Sequence, residues 1–357
     1  MSRNTVATID LGAIEHNFRI VSRLAPSSKI ASVVKADAYG HGIKRVAPAL
    51  SASDLLAVAT ADEAAVLRAG GWSGRLLVLE GFANADDFEL TQSLQTELVI
   101  HHPSQLHMLR QREMRRAPRF WLKLDSGMHR LGFPPADAGP VFRELASISG
   151  SGQVGLMTHF ACADEAANPM TDEQIEAFDQ AIEGLAAEQS LANSAGLLNF
   201  PRSQRDVVRP GILLYGISPD AGQPAAALGL RPAMTLSSEL IAINQCRQGE
   251  TVGYGATFRC PQDMRVGVAA IGYGDGYPRS LPDGAPVLVN GKAARLAGRV
   301  SMDMITLDLR GHDEAKTGDP VVLWGQGLSV ESVAGWAGML PYELICGVTG
   351  RVPRSTV

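Results

Sequence analysis

IASVVKADAYGHG, residues 30–42, runs a short β-branched apolar segment into a lysine, then an acid, an aromatic and two glycines. A strand does not bury an unpaired ammonium cheaply, so a lysine taken out of water neutralises or finds a partner. Once neutral, Lys35 is a nucleophilic amine able to condense with a carbonyl. One such lysine could equally snorkel to water from a strand end. The same pattern, an apolar run closing on a chemically competent residue, recurs along the chain, and that recurrence sets the expected fold.

Outward from this stretch, strand candidates fall at ATID (7–10), LLAVAT (55–60), RLLVLE (75–80), ELVIH (97–101), FWLKLD (120–125), VGLMTHF (154–160), LANSA (191–195) and VVRPGILLYG (207–216). Between them lie amphipathic segments such as LGAIEHNFRIVSRLA and DEQIEAFDQAIEGLAAEQ, with apolar residues at three- and four-residue intervals. Eight or nine such alternations suit an N-terminal (β/α)8 TIM-type barrel over residues 1–228 better than an open doubly wound sheet. Pro and Gly thicken at SPDAGQPAAALGLRP, residues 218–232, without apolar periodicity, which marks a boundary. Beyond it TLSSELIAI, RVGVAAIGY, APVLVNG, MITLDL and PVVLWG read as strands between Gly-rich turns, so residues 229–357 are expected to form a mainly-β domain.

The 357 residues exceed one ordinary core, and 45% hydrophobic against 19% charged residues describes a soluble globular α/β protein. A net charge of −5 offers no footprint for nucleic acid or an anionic membrane surface. Cys162, Cys246, Cys260 and Cys346 form no CxxC pair, so neither a metal site nor a disulfide framework is expected. The first residues carry no apolar leader and no window reaches a membrane span, which together with the scattered thiols points to the cytoplasm.

Barrel enzymes carry their chemistry at the C-terminal ends of the strands. Lys35, Lys123 with Asp125 and Arg130, His159, Ser194, and Arg209 with Gly211 all fall at such ends. Each alone could be an ion-pair or hydrogen-bond partner; their convergence on one mouth argues for a site. In the RPGI turn Pro210 removes a donor and Gly211 permits close approach, freeing the N–H groups of Gly211 and Ile212 to face an anion. A carbonyl-reactive lysine, an anion cradle and an arginine together describe a site for pyridoxal 5'-phosphate.

VVKADAYGHG, KLDSGMHRLGF, THFACAD, NSAG, VVRPGILLYG, VGYGATF, IGYGDGYPR, GRVSMDM and PYELICGVTGRVPR resemble, in order and over nearly the whole chain, the successive motifs of bacterial alanine racemases. The resemblance implies an isomerase that interconverts L- and D-alanine with pyridoxal 5'-phosphate, supplying D-alanine for peptidoglycan or degrading it. It implies that Lys35 bonds the cofactor aldehyde and acts as one catalytic base. Tyr39, Ser194, Gly211, Ile212 and Tyr342 would hold the phosphate, and Arg209 would face the pyridine nitrogen. Tyr254 would be the second base on the opposite face, with His159 and Arg209 relaying to it.

By the same resemblance the enzyme is a head-to-tail homodimer whose Tyr254 reaches the partner's barrel mouth. Arg130 would meet both the cofactor hydroxyl and the substrate carboxylate; Met302 would help hold that carboxylate, and Tyr273 would narrow the entrance. Lys123 matches a lysine that is carbamylated in many members. His129 and Ser301 depart from the commonest pattern, where a smaller residue and a cysteine are frequent. By residue type alone, Tyr254 could be a core tyrosine between two glycines and Met302 core filling; Asp303, Arg279 and Arg299 are expected to line the entry corridor, with surface ion pairs as the alternative. Among the alternatives, Arg209 and Tyr254 speak against a decarboxylase of similar architecture, residues 233–357 against a non-catalytic pyridoxal 5'-phosphate carrier, which lacks the β domain, and a broader racemase for serine, lysine or arginine stays open.

Overall fold

The computed structural model describes residues 4–112, 118–150 and 153–357. Eight parallel strands build the larger half: β2 (Lys29–Val33), β3 (Leu55–Val58), β4 (Arg75–Val78), β5 (Glu97–Ile100), β6 (Phe120–Lys123), β7 (Val154–Met157), β8 (Gln189–Ser190) and β9 (Val207–Val208), preceded in the chain by β1 (Val6–Ile9). They pair in the order β8-β7-β6-β5-β4-β3-β2-β9. The ring closes between its two shortest members, where Arg209 N–H donates to Ala192 O at 2.9 Å and Ser190 Oγ–H to Val207 O at 2.7 Å. Strands buried on both faces read as continuous apolar runs, as Leu55–Val58 and Val154–Met157 do.

Two expected strands change character. ATID leaves the barrel altogether: β1 pairs antiparallel with Met234–Ser237 and parallel with Arg354–Thr356, so the first strand belongs to the sheet of the C-terminal half. LANSA is not strand at all: β8 (Gln189–Ser190) stops just before it, and Asn193 then caps a short helix, Ser194–Asn199, by accepting from Gly196 N–H. Asn at an N-cap satisfies helix donors better than it serves a ladder, which ends the strand before its sequence pattern does.

The C-terminal half is built from β10 (Met234–Cys246), β11 (Thr251–Val252), β12 (Phe258–Arg259), β13 (Met264–Ala269), β14 (Pro286–Val289), β15 (Lys292–Leu296), β16 (Ile305–Asp308), β17 (Pro320–Trp324) and β18 (Arg354–Thr356). The long β10 pairs with β17 through Leu236–Glu239 and with β13 through Leu240–Cys246, with an irregularity between Leu240 and Ala242. A bulge of this kind bends a strand and lets it serve two neighbours, so β10-β13-β16-β15-β14-β17 close on themselves. β11 and β12 stand apart as a hairpin with Tyr254 in its connection.

The floor of the parallel barrel is polar and held by ion pairs and hydrogen bonds. Buried Glu97 accepts from Arg75 Nε at 2.5 Å and from Trp121 Nε1 at 2.8 Å, while Glu188 takes Lys29 and Arg119. Trp121 fits because residue 155 is glycine: a Cβ there would sit 2.5 Å from the indole. Removing one partner of a buried pair strands the other charge. Glu97→Leu is therefore expected to destabilise the protein by about 3–5 kcal/mol, read as a lowered urea midpoint, while Glu188→Gln at the more open rim costs less.

Candidate active site

Lys35 does not end the strand itself. β2 stops at Val33, and the chain then makes a left-handed turn in which Ala36, Asp37, Ala38 and Tyr39 all have φ of 53–55°. Each non-glycine residue there costs roughly 1–2 kcal/mol, so the surroundings must hold the turn in place. Ala38 N–H donates to Val34 O at 2.8 Å and Gly42 N–H to Asp37 O at 2.8 Å. Two carboxylates clamp the ends: Glu63 accepts from Ala36 N–H at 2.6 Å and Ala59 N–H at 2.8 Å, and Asp37 accepts from Ile43 N–H at 2.7 Å. Buried His41 donates from Nδ1 to the carbonyls of Ala38 and Tyr39. The result presents Lys35 and Tyr39 from one rigid segment.

These side chains open on a cavity of about 470 Å³ at the barrel mouth, lined by Lys35, Tyr39, Lys123, Arg130, His159, Ser194, Arg209, Gly211, Ile212 and Tyr342. Every expected cofactor-holding residue is thus gathered there. Glu80, Leu79, Thr158 and Cys346 also line it, although nothing in the sequence singles them out. Glu63 escapes the sequence reading too, although T-x-x-E at Thr60–Glu63 is a visible helix-start signature.

The electrostatics are one-sided. Lys35, Lys123, Arg130 and Arg209 face the cavity against a single lining carboxylate, Glu80. Burial, then Arg130, lowers the Lys35 ammonium below the ordinary lysine range, opposed by Glu80 and Glu63. Burial, then Arg209, Arg130 and Lys35, brings Lys123 down to about 8. Such a surplus suits an anionic ligand with an aldehyde for the least costly amine to attack.

Arg209 is buried and its terminal nitrogens donate to Ser190 O and Oγ, Thr158 O and Leu191 O at 2.6–3.1 Å. Burial draws it down to about 10, so it stays a cation at neutral pH. Its Nη2 also donates to His159 Nδ1 at 3.4 Å, which leaves the imidazole proton on Nε2. Burial, then Arg209, pushes His159 well below its usual pKa, so the ring is neutral and the positive charge is the arginine's. The Gly211 N–H does not stand free, as the sequence reading expects, but donates to Ser194 Oγ at 2.8 Å, which ties the turn to the start of the Ser194–Asn199 helix. A Cβ on Gly211 would collide with the Tyr39 hydroxyl, so glycine is what allows the phenol to reach this turn.

Tyr254, Met302 and Tyr273 do not line this mouth. They are 67%, 52% and 40% exposed on the β domain, so neither Tyr254 nor Met302 is core filling. They share one surface. Tyr273 and Gly274 N–H donate to Ser301 O and Met302 O at 3.0 and 2.9 Å, and Arg279 stacks 5.7 Å from the Tyr273 ring. The Arg299 guanidinium lies beside Gly255, next to Tyr254. Asp303 pairs with Arg351 at 2.6 Å, as a surface ion pair would.

Residues 9–219 match the family model of the alanine racemase N-terminal domain, and residues 233–356 that of the alanine racemase C-terminal domain. An alanine racemase from Nitrosococcus oceani is 48% identical over 98% of both chains. The crystal structure of the biosynthetic alanine racemase from Pseudomonas aeruginosa superposes with a TM-score of 0.96 at 48% identity, covering 99% of each chain. That of the Bartonella henselae alanine racemase with covalently bound pyridoxal phosphate gives a TM-score of 0.89 at 26% identity and 99% coverage of both. The second-domain match removes the carrier reading, which has no such domain. With an amine-bearing cationic mouth that suits the cofactor and these likenesses across both halves, the chain belongs to the alanine racemase family, isomerases that interconvert L- and D-alanine with pyridoxal 5'-phosphate.

Proposed function

We propose that racemisation is carried by two bases from two subunits, Lys35 of one chain and Tyr254 of its partner, in a head-to-tail homodimer. The observation behind this reading is the separation within one chain: the mouth holds Lys35 and the phosphate donors, while Tyr254, Met302 and Tyr273 stand exposed together on the β domain. A racemase needs proton donors on both faces of the substrate carbon, since one base returning the proton to its own side restores the starting isomer. A second copy supplies what a single mouth lacks.

The cofactor, when bound, supplies the carbonyl that Lys35 captures and the electron withdrawal that loosens the alanine α-proton. Lys35, held neutral more readily than an exposed lysine, takes or returns that proton from one side. The Tyr254 phenol does so from the other. His159 Nε2–H donates towards the phenol oxygen, easing its ionisation, with Arg209 behind it as the fixed charge. Arg209 gives up no proton, so it leaves the pyridine nitrogen unprotonated, which keeps the stripped carbon short-lived and discourages side reactions. Tyr39, Ser194, Gly211, Ile212 and Tyr342 hold the phosphate; Arg130 and the partner's face, through Met302, orient the substrate carboxylate, and Tyr273 narrows the approach. Carbamylation of Lys123, which is brought to about 8 and therefore has a reactive free-amine fraction, turns it into an anion that orients Arg130. We place the enzyme in the cytoplasm, where its four free thiols suit a reducing compartment; among the described residues no helix is long and apolar enough to cross a membrane.

Tyr254→Phe is expected to keep the yellow of lysine-bound cofactor while α-proton exchange in deuterated solvent falls by about 100-fold or more for one alanine enantiomer and far less for the other. Equal small losses for both contradict the assignment. The nucleophile is the unprotonated amine, so the rate at which cofactor-free enzyme takes up pyridoxal 5'-phosphate rises with pH and levels above the Lys35 pKa, below the ordinary lysine value. Glu63 opposes that depression, so Glu63→Gln is expected to shift the rise to lower pH; a shift upward contradicts the electrostatic coupling of Glu63 to Lys35.

A further inference from the structure

Cys246 and Cys260 share no sequence motif, yet the fold brings them together. Cys246 closes β10 and Cys260 follows β12, so the two residues flank the base of the β11–β12 hairpin. At that base Gly249 N–H donates to Cys260 O and Cys260 N–H to Glu250 O, both at 2.8 Å. Behind it lies a small core separate from the main one, formed by Val252, Cys260, Met264 and Val266, against which Cys246 and Phe258 pack. Within this core the two thiols are in hydrogen-bonding contact. Cys246 is half-buried, whereas Cys260 is only 1% exposed.

That asymmetry suits an attacking thiol beside a resolving one. An oxidant reaches Cys246 first, and the buried neighbour captures the product before it is oxidised further. With hydrogen peroxide, the Cys246 thiolate attacks one peroxide oxygen, the O–O bond breaks, hydroxide leaves and a sulfenic acid forms. The Cys260 sulfur then attacks the sulfenic sulfur and displaces its hydroxyl as water. In sum two thiols give up two electrons and two protons, and one peroxide becomes two waters. Burial, then Cys260 itself, raises the Cys246 thiol above its ordinary range, with Glu250 adding to the shift. Thiolate is therefore scarce at neutral pH, and the reduced pair is the resting form.

We propose that Cys246 and Cys260 are a reversible oxidation site whose disulfide staples the hairpin carrying Tyr254. The bond closes a loop of 15 residues, 246–260, with Tyr254 near its middle. A cross-link across such a loop removes much of the freedom of the opened hairpin. It also draws the end of β12 towards the end of β10, as a contact shortens to a bond of about 2 Å. A displacement of about 1 Å at a reacting group can cost about 100-fold in rate. The staple stands by itself; its effect on catalysis rests on the reading that Tyr254 is the second base.

Holoenzyme treated with hydrogen peroxide at pH 9, where the thiolate is more abundant, is expected to yield a peptide map in which Cys246 is joined to Cys260. Amide hydrogen exchange across residues 247–259 is expected to slow by about 10-fold or more. Exchange of the α-proton is expected to fall by about 10-fold or more for the alanine enantiomer that Tyr254→Phe impairs, and by less for the other, with dithiothreitol restoring both. Cys246→Ser and Cys260→Ala are each expected to keep basal racemisation and to lose both the cross-link and the peroxide response. Cys246 carried on to sulfinic acid with Cys260 still a thiol, or no cross-link at all, overturns the site. A cross-link without slower amide exchange overturns the staple. A rate loss equal for both enantiomers, or one that persists in both cysteine variants, overturns the coupling to Tyr254 and leaves the cross-link standing.

Discussion

The site depends on a strained turn being held. Four successive left-handed residues after Val34 are unfavourable for an L-chain, and nothing in Ala-Asp-Ala-Tyr prefers that conformation by itself. Glu63 and Asp37 at its two ends, and His41 beneath it, supply charge-assisted and neutral hydrogen bonds that outweigh the strain. The return is geometric. A right-handed helix starting at Lys35 would carry Tyr39 one turn up the helix, whereas the left-handed turn brings its hydroxyl against Gly211, just beyond the neighbouring strand β9. Lys35, Tyr39, Ser194 and Gly211 thereby line a single cavity.

The irregular closure of the barrel serves the same end. β8 and β9 are only two residues long, and what joins them is the Arg209 backbone and the Ser190 hydroxyl rather than a ladder. That leaves Ser194 at a helix start and Gly211 in a turn, joined by the Gly211 N–H donating to Ser194 Oγ, while the buried Arg209 side chain is locked by the carbonyls of β8 and the segment after β7. The second half of the molecule is shaped differently. There β10 bends to close its own sheet, and the β11–β12 hairpin holds Tyr254 out on a surface with Tyr273 and Met302.

Much of this is legible in the residues. The parallel strands show as apolar runs, and Lys35, Lys123, His159, Ser194 and Arg209 stand where such runs close on a reactive side chain. What escapes has no local signal. VATI is as good a barrel strand as any by composition, and only its partners in β10 and β18 put it elsewhere. KADAY is unremarkable as a string of residues; its left-handedness is imposed by Glu63, some 27 positions on. Tyr254 between two glycines could have been core, and its exposure follows from the hairpin standing clear of the sheet.

If a second copy completes each site, subunit mixing shows it most directly. Lys35→Ala and Tyr254→Phe chains, each inactive alone, are unfolded together, refolded and assayed. If every site takes Lys35 from one chain and Tyr254 from the other, each mixed dimer regains one native site and the mixture recovers about a quarter of wild-type activity. A mixture as inactive as its parents would contradict a site shared between two chains.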